Sequence, residues 1–383
     1  MRHFFIIVVS CFVGFIASAQ NPNYIFDHLT VRDGLSHPSV NKIVQDSMGF
    51  LWIATQDGLN KFDGFGFKVY KSYDQKTNGL TNNSIKTLFI DKAGVLWVGT
   101  VAGGLLRYNV QFDIFESYLH DPQNPKSISS NSVYAICEGE EGVIWVGTYG
   151  GGLNKFNTFT KEFEHFINIS GDKNSLSNNN IRSLLYDKSG SLWIGTDGSG
   201  LDLLQKGSKQ FKHYSNNPAD KNTISQGSIM TIVQDQYNNI WTGTYGGGLN
   251  VLDKKTGIFK HYSTKTNDNI RLTNDIIWDL FIDKDTLLWV STRGGGINCI
   301  NIKRNTCNYI NYEEENRNSL NSNTILNVMR DNKGILWIGT EDKGLNRLNM
   351  QKQNFKGISS NRLINNILNK CKIASFYEEP RVR

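Results

Sequence analysis

The sequence predicts an all-β fold in which one unit of four strands occurs seven times. Three observations lead to this prediction: tryptophans at a fixed interval, short β-type runs between them, and recurring turn residues that separate the runs. The tryptophans are Trp52, Trp97, Trp145, Trp193, Trp241, Trp289 and Trp337, which are 45 residues apart at the first interval and 48 at the others. A constant period of this length is typical of solenoids, propellers and repeat arrays.

Each copy contains four runs rich in β-branched and aromatic residues, which favour strands. In the fourth copy these runs cover residues 181–186, 192–196, 201–204 and 210–214. An Asp-x-x-Gly turn follows the first run, where the carboxylate can accept bonds from backbone N–H groups and glycine tolerates a positive φ. A glycine-rich turn follows the second run for the same reason. No part of the repeat has sustained helical periodicity.

Four antiparallel strands form one blade, and a lone blade cannot bury both faces, so the blades must pack on one another. The tryptophan, at mid-strand, is placed to fill the space between blades. Seven units therefore predict a seven-bladed β-propeller over residues 20–358. Residues 24–29 resemble a fourth strand without its blade and would close the ring, which removes exposed sheet edges. Residues 355–358 compete for the same place.

The two ends of the chain carry separate predictions. Residues 1–19 combine a basic start, an apolar run and Ala17-Ser18-Ala19, a form that signal peptidase cleaves, so we expect export to the periplasm. The apolar run is shorter than an ordinary membrane span. Lipidation at Cys11 is the alternative. Residues 359–383 begin like an eighth copy, at Asn365, so we expect an incomplete further repeat or a disordered tail on a truncated chain.

Composition narrows the classes of function. The 383 residues carry a net charge of +6 without a polybasic block, so no nucleic acid is expected to bind. Five cysteines, one of them in the predicted signal peptide, do not make a disulfide framework. Cys299 and Cys307 fall on adjacent predicted strands, where a bridge and two core thiols are both open. Cys137 is interpreted as a small core hydrophobe.

Three histidines, His165, His213 and His261, recur at intervals of 48. Equal spacing places them on the same outer strand of successive blades, pointing apart, whereas a zinc site needs converging ligands. We interpret them as structural and expect neither a metal nor a cofactor. The glycine runs are interpreted as turns, because phosphate-binding loops rely on a following helix.

The pattern Asp-x-x-Gly-x-Leu-Trp-x-Gly-Thr-x-Gly-Gly-Gly-Leu-Asn resembles the two-component regulator propeller repeat. The run 121–131 between two copies and Asp33-Gly-Leu-Ser36 near the start are similar to that family as well. The resemblance covers residues 24 to about 358. It implies the periplasmic sensor region of a Bacteroidetes hybrid two-component histidine kinase, which senses oligosaccharides to control polysaccharide utilisation. It implies no catalysis by this chain.

Full members of that family also carry a second propeller, an immunoglobulin-like domain, a membrane helix, a histidine kinase, a receiver and a DNA-binding domain. None of these is recognisable in this sequence. The partners that the resemblance implies are an oligosaccharide ligand, a second propeller, a membrane-anchored kinase and a second copy in a homodimer.

Positions that differ among otherwise matching copies are the candidates for ligand binding. One set follows the signature threonine at the upper rim, and another begins the innermost strands at the mouth of the channel. The candidates are Tyr134, Tyr149, Arg182, Asp197, Tyr245, Trp278, Arg293 and Glu341. Aromatic faces suit stacking on sugar rings, arginine forks hold carboxylate or sulfate, and carboxylates accept bonds from hydroxyls. The alternative is that these residues are solvated turns and channel filler.

Two other classes of function stay open. The Asp-x-x-Gly-x-x-Trp turn is loosely similar to the Asp-box of sialidases, so a secreted sialidase- or lyase-like enzyme is one alternative. Sialidase chemistry needs an arginine cluster and an activated tyrosine. Arg182 and Arg293 lie two blades apart without a third arginine at the rim, so no catalytic residue is predicted. The other alternative is a structural or protein-interaction propeller.

Overall fold

The computed structural model describes residues 24–72, 79–284 and 286–349. Strands of these residues form seven four-stranded antiparallel sheets, which confirms the seven-bladed β-propeller. The predicted segments 1–19 and 359–383, and the competing run 355–358, lie outside the described residues. In the described ranges, no helix is long and apolar enough to cross a membrane.

The blades follow one another along the chain. Blade 1 contains β2 (Val40–Gln45), β3 (Leu51–Thr55), β4 (Gly58–Phe62) and β5 (Phe67–Tyr70). Blade 2 contains β6 (Ile85–Ile90), β7 (Leu96–Thr100), β8 (Leu105–Asn109) and β9 (Ile114–Tyr118). Blade 3 contains β10 (Val133–Glu138), β11 (Val143–Thr148), β12 (Leu153–Asn157) and β13 (Glu162–Phe166). Blade 4 contains β14 (Ile181–Tyr186), β15 (Leu192–Thr196), β16 (Leu201–Leu204) and β17 (Phe211–Tyr214).

The remaining blades repeat the same order from the inner to the outer strand. Blade 5 contains β18 (Ile229–Gln234), β19 (Ile240–Thr244), β20 (Leu249–Leu252) and β21 (Phe259–Tyr262). Blade 6 contains β22 (Ile277–Asp283), β23 (Leu287–Thr292), β24 (Ile297–Asn301) and β25 (Thr306–Ile310). Blade 7 contains β26 (Ile325–Arg330), β27 (Ile335–Thr340), β28 (Leu345–Asn349) and, as its outer strand, β1 (Phe26–Leu29).

The ring is closed by the N-terminal strand. β1 pairs antiparallel with β28, with Phe26 opposite Leu348. Phe26 is buried, and its backbone N–H donates to the carbonyl of Asn318 at 2.9 Å. His28 Nε2 lies 2.9 Å from the carbonyl of Ser319. Blade 7 is therefore built from both ends of the described chain, as a closed propeller requires.

The hydrophobic core is divided into seven clusters, one between each pair of neighbouring blades. Trp52 of blade 1 packs in one of them with Ile85 and Leu88 of blade 2, and only 1 % of its surface is exposed. The cluster that joins blades 7 and 1 contains Trp337 and Ile43. Each signature tryptophan thus fills the space between blades, and the ring has no unpacked blade.

The turn aspartate stabilises both the turn and the tryptophan. In blade 1, Asp46 Oδ1 accepts bonds from the backbone N–H groups of Met48 and Phe50 at 3.1 and 2.9 Å. Its other oxygen accepts a bond from Trp52 Nε1 at 2.9 Å. The carboxylate–indole bond recurs in blades 2, 4, 5 and 7. The sequence predicts the backbone bonds but not the bond to the indole.

Blades 3 and 6 lack this bond for different reasons. Gly139 takes the place of the aspartate in blade 3. Asp283 of blade 6 instead accepts two bonds from the guanidinium of Arg330 in blade 7, at 2.8 and 2.6 Å. The indole nitrogens of Trp145 and Trp289 are consequently buried without a partner among the described residues. Blade 6 has exchanged a bond within the blade for an ion pair between blades.

The signature glycine is required by the contact between blades. A Cβ atom on Gly243 would lie 2.5 Å from Cγ2 of Ile277, which begins the inner strand of the next blade. Blades 1 and 6 carry other small residues here, Ala54 and Ser291. The signature threonine then closes the turn, since Thr244 Oγ1 donates to the carbonyl of Gly248 at 2.8 Å.

The recurrent histidines bind backbone carbonyls rather than each other. His165, His213 and His261 place Nε2 at 2.7, 3.0 and 2.7 Å from the carbonyls of Ser127, Lys173 and Thr223. Each acceptor lies in the loop that leads into the same blade, so the histidine ties the outer strand to that loop. These contacts give the three histidines a structural role, as the sequence predicts.

The cysteines of blade 6 are not bridged. Cys299 lies opposite Asn308, and Cys307 lies opposite Ile300, so the register turns the two side chains to opposite faces of the sheet. Both are free thiols, as is the buried Cys137. Of the two alternatives that the sequence leaves open, the bridge is wrong. Cys137 packs in the cluster between blades 3 and 4, as its interpretation as a core hydrophobe predicts.

Candidate functional site

A cavity of about 1120 Å³ lies on the axis of the ring and is lined by the inner strands. We call upper the face that carries the turns between second and third strands, and lower the face that carries the Asp-x-x-Gly turns. Binding sites for small ligands usually enclose about 300–1,000 Å³ and are lined by apolar groups with a few placed polar ones. The cavity is large enough for a ligand of that class.

Every inner strand has a β-bulge at its upper end. In each, the first and third residues pair with adjacent residues of the second strand, and the residue between them is left out of the ladder. The seven extra residues are Asn41, Lys86, Tyr134, Arg182, Met230, Trp278 and Leu326. A bulge redirects a side chain and is common next to functional sites. All seven line the cavity, so the bulges build its mouth.

Four candidate residues meet at blades 3 and 4, and we call them the Arg182 cluster: Tyr134, Tyr149, Arg182 and Asp197. Arg182 donates from Nε and Nη2 to Asp197 Oδ2 at 3.1 and 2.7 Å. The rings of Tyr134 and Tyr149 are 5.3 Å apart, and the guanidinium carbon lies 5.3 and 5.0 Å from their centroids. These are cation–π distances.

Asp197 accepts four hydrogen bonds in and around this cluster. Besides Arg182, it accepts bonds from the hydroxyls of Ser228 at 2.8 Å and Tyr149 at 3.4 Å. Burial acts to raise the pKa of Asp197, but the bonds from Arg182 and Ser228 outweigh it and lower the pKa below its usual value. The carboxylate therefore stays ionised and holds the guanidinium in place.

Three candidates meet at blades 5 and 6, and we call them the Arg293 cluster: Tyr245, Trp278 and Arg293. Arg293 Nη1 donates to the hydroxyl of Tyr245 at 3.1 Å. The ring of Tyr245 meets that of Trp278 edge-on, with centroids 6.0 Å apart. Tyr245 keeps 41 % of its surface exposed, so its ring is free to contact a ligand. Glu341 of blade 7 lines the cavity separately.

The structure thus brings seven of the eight candidates into two clusters on one face. Tyr134, Arg182, Trp278 and Glu341 line the cavity itself, and the other four stand on the rim above it. Sequence reasoning passed over Lys86, which also lines the mouth. The signal was available, because Lys86 occupies the same repeat position as Tyr134, Arg182 and Trp278.

A group of polar contacts also links three neighbouring inner strands below the mouth. Lys42 Nζ of blade 1 lies 3.4 Å from Asp279 Oδ1 of blade 6. Asn327 of blade 7, between them, donates to the other oxygen of Asp279 at 2.6 Å. These three residues follow directly after bulge residues and link three inner strands. They provide a polar floor that the sequence did not reveal, since contacts between blades cannot be read from a repeat alignment.

Comparison with known proteins identifies the repeats. Residues 79–102, 127–150, 175–198 and 319–342 match the family model described as two component regulator propeller. These are two-component regulator propeller repeats. Over 77 residues the chain is 42% identical to histidine kinase P4 of Formosa agariphila, a match that covers 20% of this chain and 6% of that protein. The repeat that the sequence predicts is confirmed at these four segments.

Two solved structures have a similar architecture. The extracellular domain of a hybrid two-component system from B. thetaiotaomicron is similar over 85% of this chain and 42% of its own, with a TM-score of 0.74 and 29% identity. The extracellular domain of a one-component system from the same organism has a TM-score of 0.67 and 22% identity, over 85% and 40%. That second likeness shows the fold alone.

The chain spans 6% of the curated relative and less than half of either solved domain. Four of its segments carry the two-component regulator propeller repeat, and the propeller as a whole is similar to the extracellular domain of a hybrid two-component system.

Proposed function

We propose that this two-component regulator propeller is an oligosaccharide-binding sensor module without catalysis of its own. The observation that carries the proposal is the pair of aromatic–arginine clusters on one face, at the mouth of a cavity of about 1120 Å³. Tyrosine and tryptophan present apolar faces with polar edges, which suit the faces and hydroxyls of sugar rings. Rigid blades that present variable residues at one rim are a common basis for recognition.

In this proposal the chain is exported to the periplasm and works as part of a longer signalling protein. Binding of a ligand at the upper face would be signalled to further domains, including a kinase. The signal would control genes for polysaccharide utilisation. Homodimer formation belongs to the same proposal. The role as a sensor is supported by the family of the repeats and by the similarity to an extracellular domain of a hybrid two-component system.

The direct test is a panel of oligosaccharides titrated into the purified chain by calorimetry. We expect saturable binding by at least one class of glycan. Tyr245→Ala and Arg293→Ala should weaken that binding at least tenfold, because they remove the exposed ring and the guanidinium of one cluster. Tyr237→Ala is the matched control, since Tyr237 is exposed as well, at 53% against 41% for Tyr245, but lies in a turn on the lower face. If Tyr237→Ala weakens binding as much as Tyr245→Ala, the upper face is not the site.

A second candidate function is protein interaction through the lower face. Phe65, Phe112 and Phe159 lie in the outer hairpins of blades 1, 2 and 3, and 98%, 63% and 75% of their surfaces are exposed. Exposed apolar side chains grouped on one surface are typical of interaction sites. If this face is the functional one, replacing all three by serine should abolish the association of the chain with a protein partner in sedimentation experiments. The same replacement should leave glycan binding unchanged.

A further inference from the structure

Lys86 stands in the mouth of the cavity without a carboxylate partner. It is the bulge residue of β6, and its ammonium group lies 5.2 Å from the centroid of the Tyr134 ring. Among the described residues, no hydrogen-bond acceptor or acidic side chain contacts this group. A cation enclosed by protein is normally paired, because burial without a partner is costly. Its position therefore needs an explanation.

Asp197, the carboxylate of the Arg182 cluster, is held by donors other than Lys86. Asp197 already accepts two bonds from Arg182 and one each from Ser228 and Tyr149. Arg182 itself uses only Nε and Nη2 for Asp197, and its Nη1 donates to none of the described residues. Both Lys86 and Arg182 lie within 5.3 Å of the Tyr134 ring. Two cationic groups with unused donors thus converge on one side of the mouth.

The other side of the mouth has the opposite character. Met230, Trp278 and Leu326 are the bulge residues of blades 5, 6 and 7, and all three line the cavity. Among the bulge residues, donors and positive charge therefore lie at blades 2 to 4 and apolar side chains at blades 5 to 7, while Arg293 stands on the rim of blade 6 and Glu341 lines the cavity at blade 7. A ligand that fits the bulge residues carries negative charge at one end and an apolar ring face at the other.

From this arrangement we infer that the ligand is an acidic sugar, whose carboxylate or sulfate group is held between Lys86 and Arg182 while a ring packs toward Trp278. The inference rests on the proposed function and names its class of ligand. Arginine and lysine donors bind such oxyanions through charge-assisted hydrogen bonds. Burial, together with the neighbouring charge of Arg182, lowers the pKa of Lys86. A bound anion would offset both effects.

The test compares acidic and neutral forms of the same sugar. Oligogalacturonates and their methyl esters, sulfated disaccharides and their desulfated forms, and inorganic sulfate are titrated into the full chain by calorimetry. We expect the acidic form of at least one pair to bind at least tenfold more tightly than its neutral form. Lys86→Met should remove that preference while keeping the apolar stem, and Lys86→Arg should restore most of it.

Lys209→Met is the matched control, because Lys209 is exposed in an outer hairpin of the lower face and its loss changes the net charge equally. Thermal unfolding of every variant checks that the fold is intact. Equal binding of acidic and neutral forms, unaffected by Lys86→Met but lost with Tyr245→Ala, overturns the acidic class and leaves the proposed function standing.

Titration with inorganic sulfate distinguishes the anion site at Lys86 from the glycan-sensing function. Saturable binding of inorganic sulfate, lost in Lys86→Met but not in Lys209→Met, would support the anion site even if no oligosaccharide binds, and the glycan-sensing function would then be wrong. Binding of neither sugars nor sulfate would overturn both.

Discussion

Closure of the ring by β1 predicts that one side chain near the N-terminus is essential to stability. Phe26 is 3% exposed and packs in the cluster between blades 6 and 7. Replacing a buried phenylalanine by alanine costs about 3–5 kcal/mol, because transfer free energy is lost and a cavity remains. We therefore expect Phe26→Ala to lower the free energy of unfolding by that amount.

The neighbouring residue provides the control. Ile25 precedes β1 and is 36% exposed, so Ile25→Ala should cost less than about 1 kcal/mol. Urea unfolding followed by tryptophan fluorescence measures the difference, which corresponds to a midpoint shift of roughly 1 M for the Phe26 variant. Hydrogen exchange gives a second readout, because the amides of β28 that bond to β1 should lose protection in Phe26→Ala alone.

Equal shifts for the two variants would refute this reasoning. They would mean that β1 does not close blade 7 in solution, and the ring would have to be closed by a strand from elsewhere in the chain. Unchanged protection of β28 in Phe26→Ala would point to the same conclusion.

Three further predictions concern buried contacts. Burial acts to raise the pKa of Asp187, but hydrogen bonds, led by that from Lys254, outweigh it and lower the pKa to about 2. The unfolded chain has a pKa of about 3.9 at this residue, so ionised Asp187 stabilises the fold above that pH. This contribution is lost as the pH falls toward 2. Lys254→Met should cost about 1.5–3 kcal/mol at pH 7 and almost nothing near pH 2, measured by urea unfolding at both pH values. Asp331→Ala should cost about 2–4 kcal/mol in the same assay, because it orphans Trp337 Nε1 and two backbone N–H groups. Gly339→Val should cost about 3 kcal/mol or more, since a Cβ there would lie 2.6 Å from a side chain of β2, and differential scanning calorimetry would show it as a lower Tm.

Each of these predictions has a control in the same chain. Lys255→Met removes an exposed charge next to Lys254 and should be nearly neutral at both pH values. Asp253→Ala removes an exposed turn carboxylate that contacts no tryptophan, so it should cost less than Asp331→Ala. Gly66→Val adds a side chain where nothing lies within 4 Å. If a control destabilises the protein as much as its partner variant does, the buried contact is not the cause of the destabilisation.

The period of the sequence was sufficient to predict the architecture. A constant spacing of tryptophans requires identical units, and identical units that must bury two faces can only stack into a ring or an array. The first three strands of blade 4 have the predicted bounds, and the fourth begins one residue later, at Phe211. The role of β1 was also readable, because its residues are similar to the outer strand of other copies.

Contacts between blades were not readable in the same way. Asp283 keeps the motif's aspartate, yet it bonds to Arg330 of the next blade rather than to Trp289. Lys42 of blade 1 likewise reaches Asp279 of blade 6, past Asn327 of the blade between them. An alignment of copies shows what each unit shares, whereas these contacts depend on how far one unit is rotated from the next. For the same reason the sequence did not show that Arg182 pairs with Asp197, or that Lys86 contacts the Tyr134 ring and no carboxylate among the described residues.

The bulges at the mouth have a consequence for how such a protein changes over time. A residue left out of the hydrogen-bonded ladder can be exchanged without disturbing the pairing on either side of it, whereas the tryptophan, the small residue and the threonine of each second strand are fixed by the contacts between blades and by the turn. Seven positions that differ from one another, Asn41 through Leu326, therefore lie outside the hydrogen-bonded ladders that hold the frame. New ligand preferences can arise by single substitutions at these positions while the ring keeps folding, so selection for recognition and selection for stability act on separate residues.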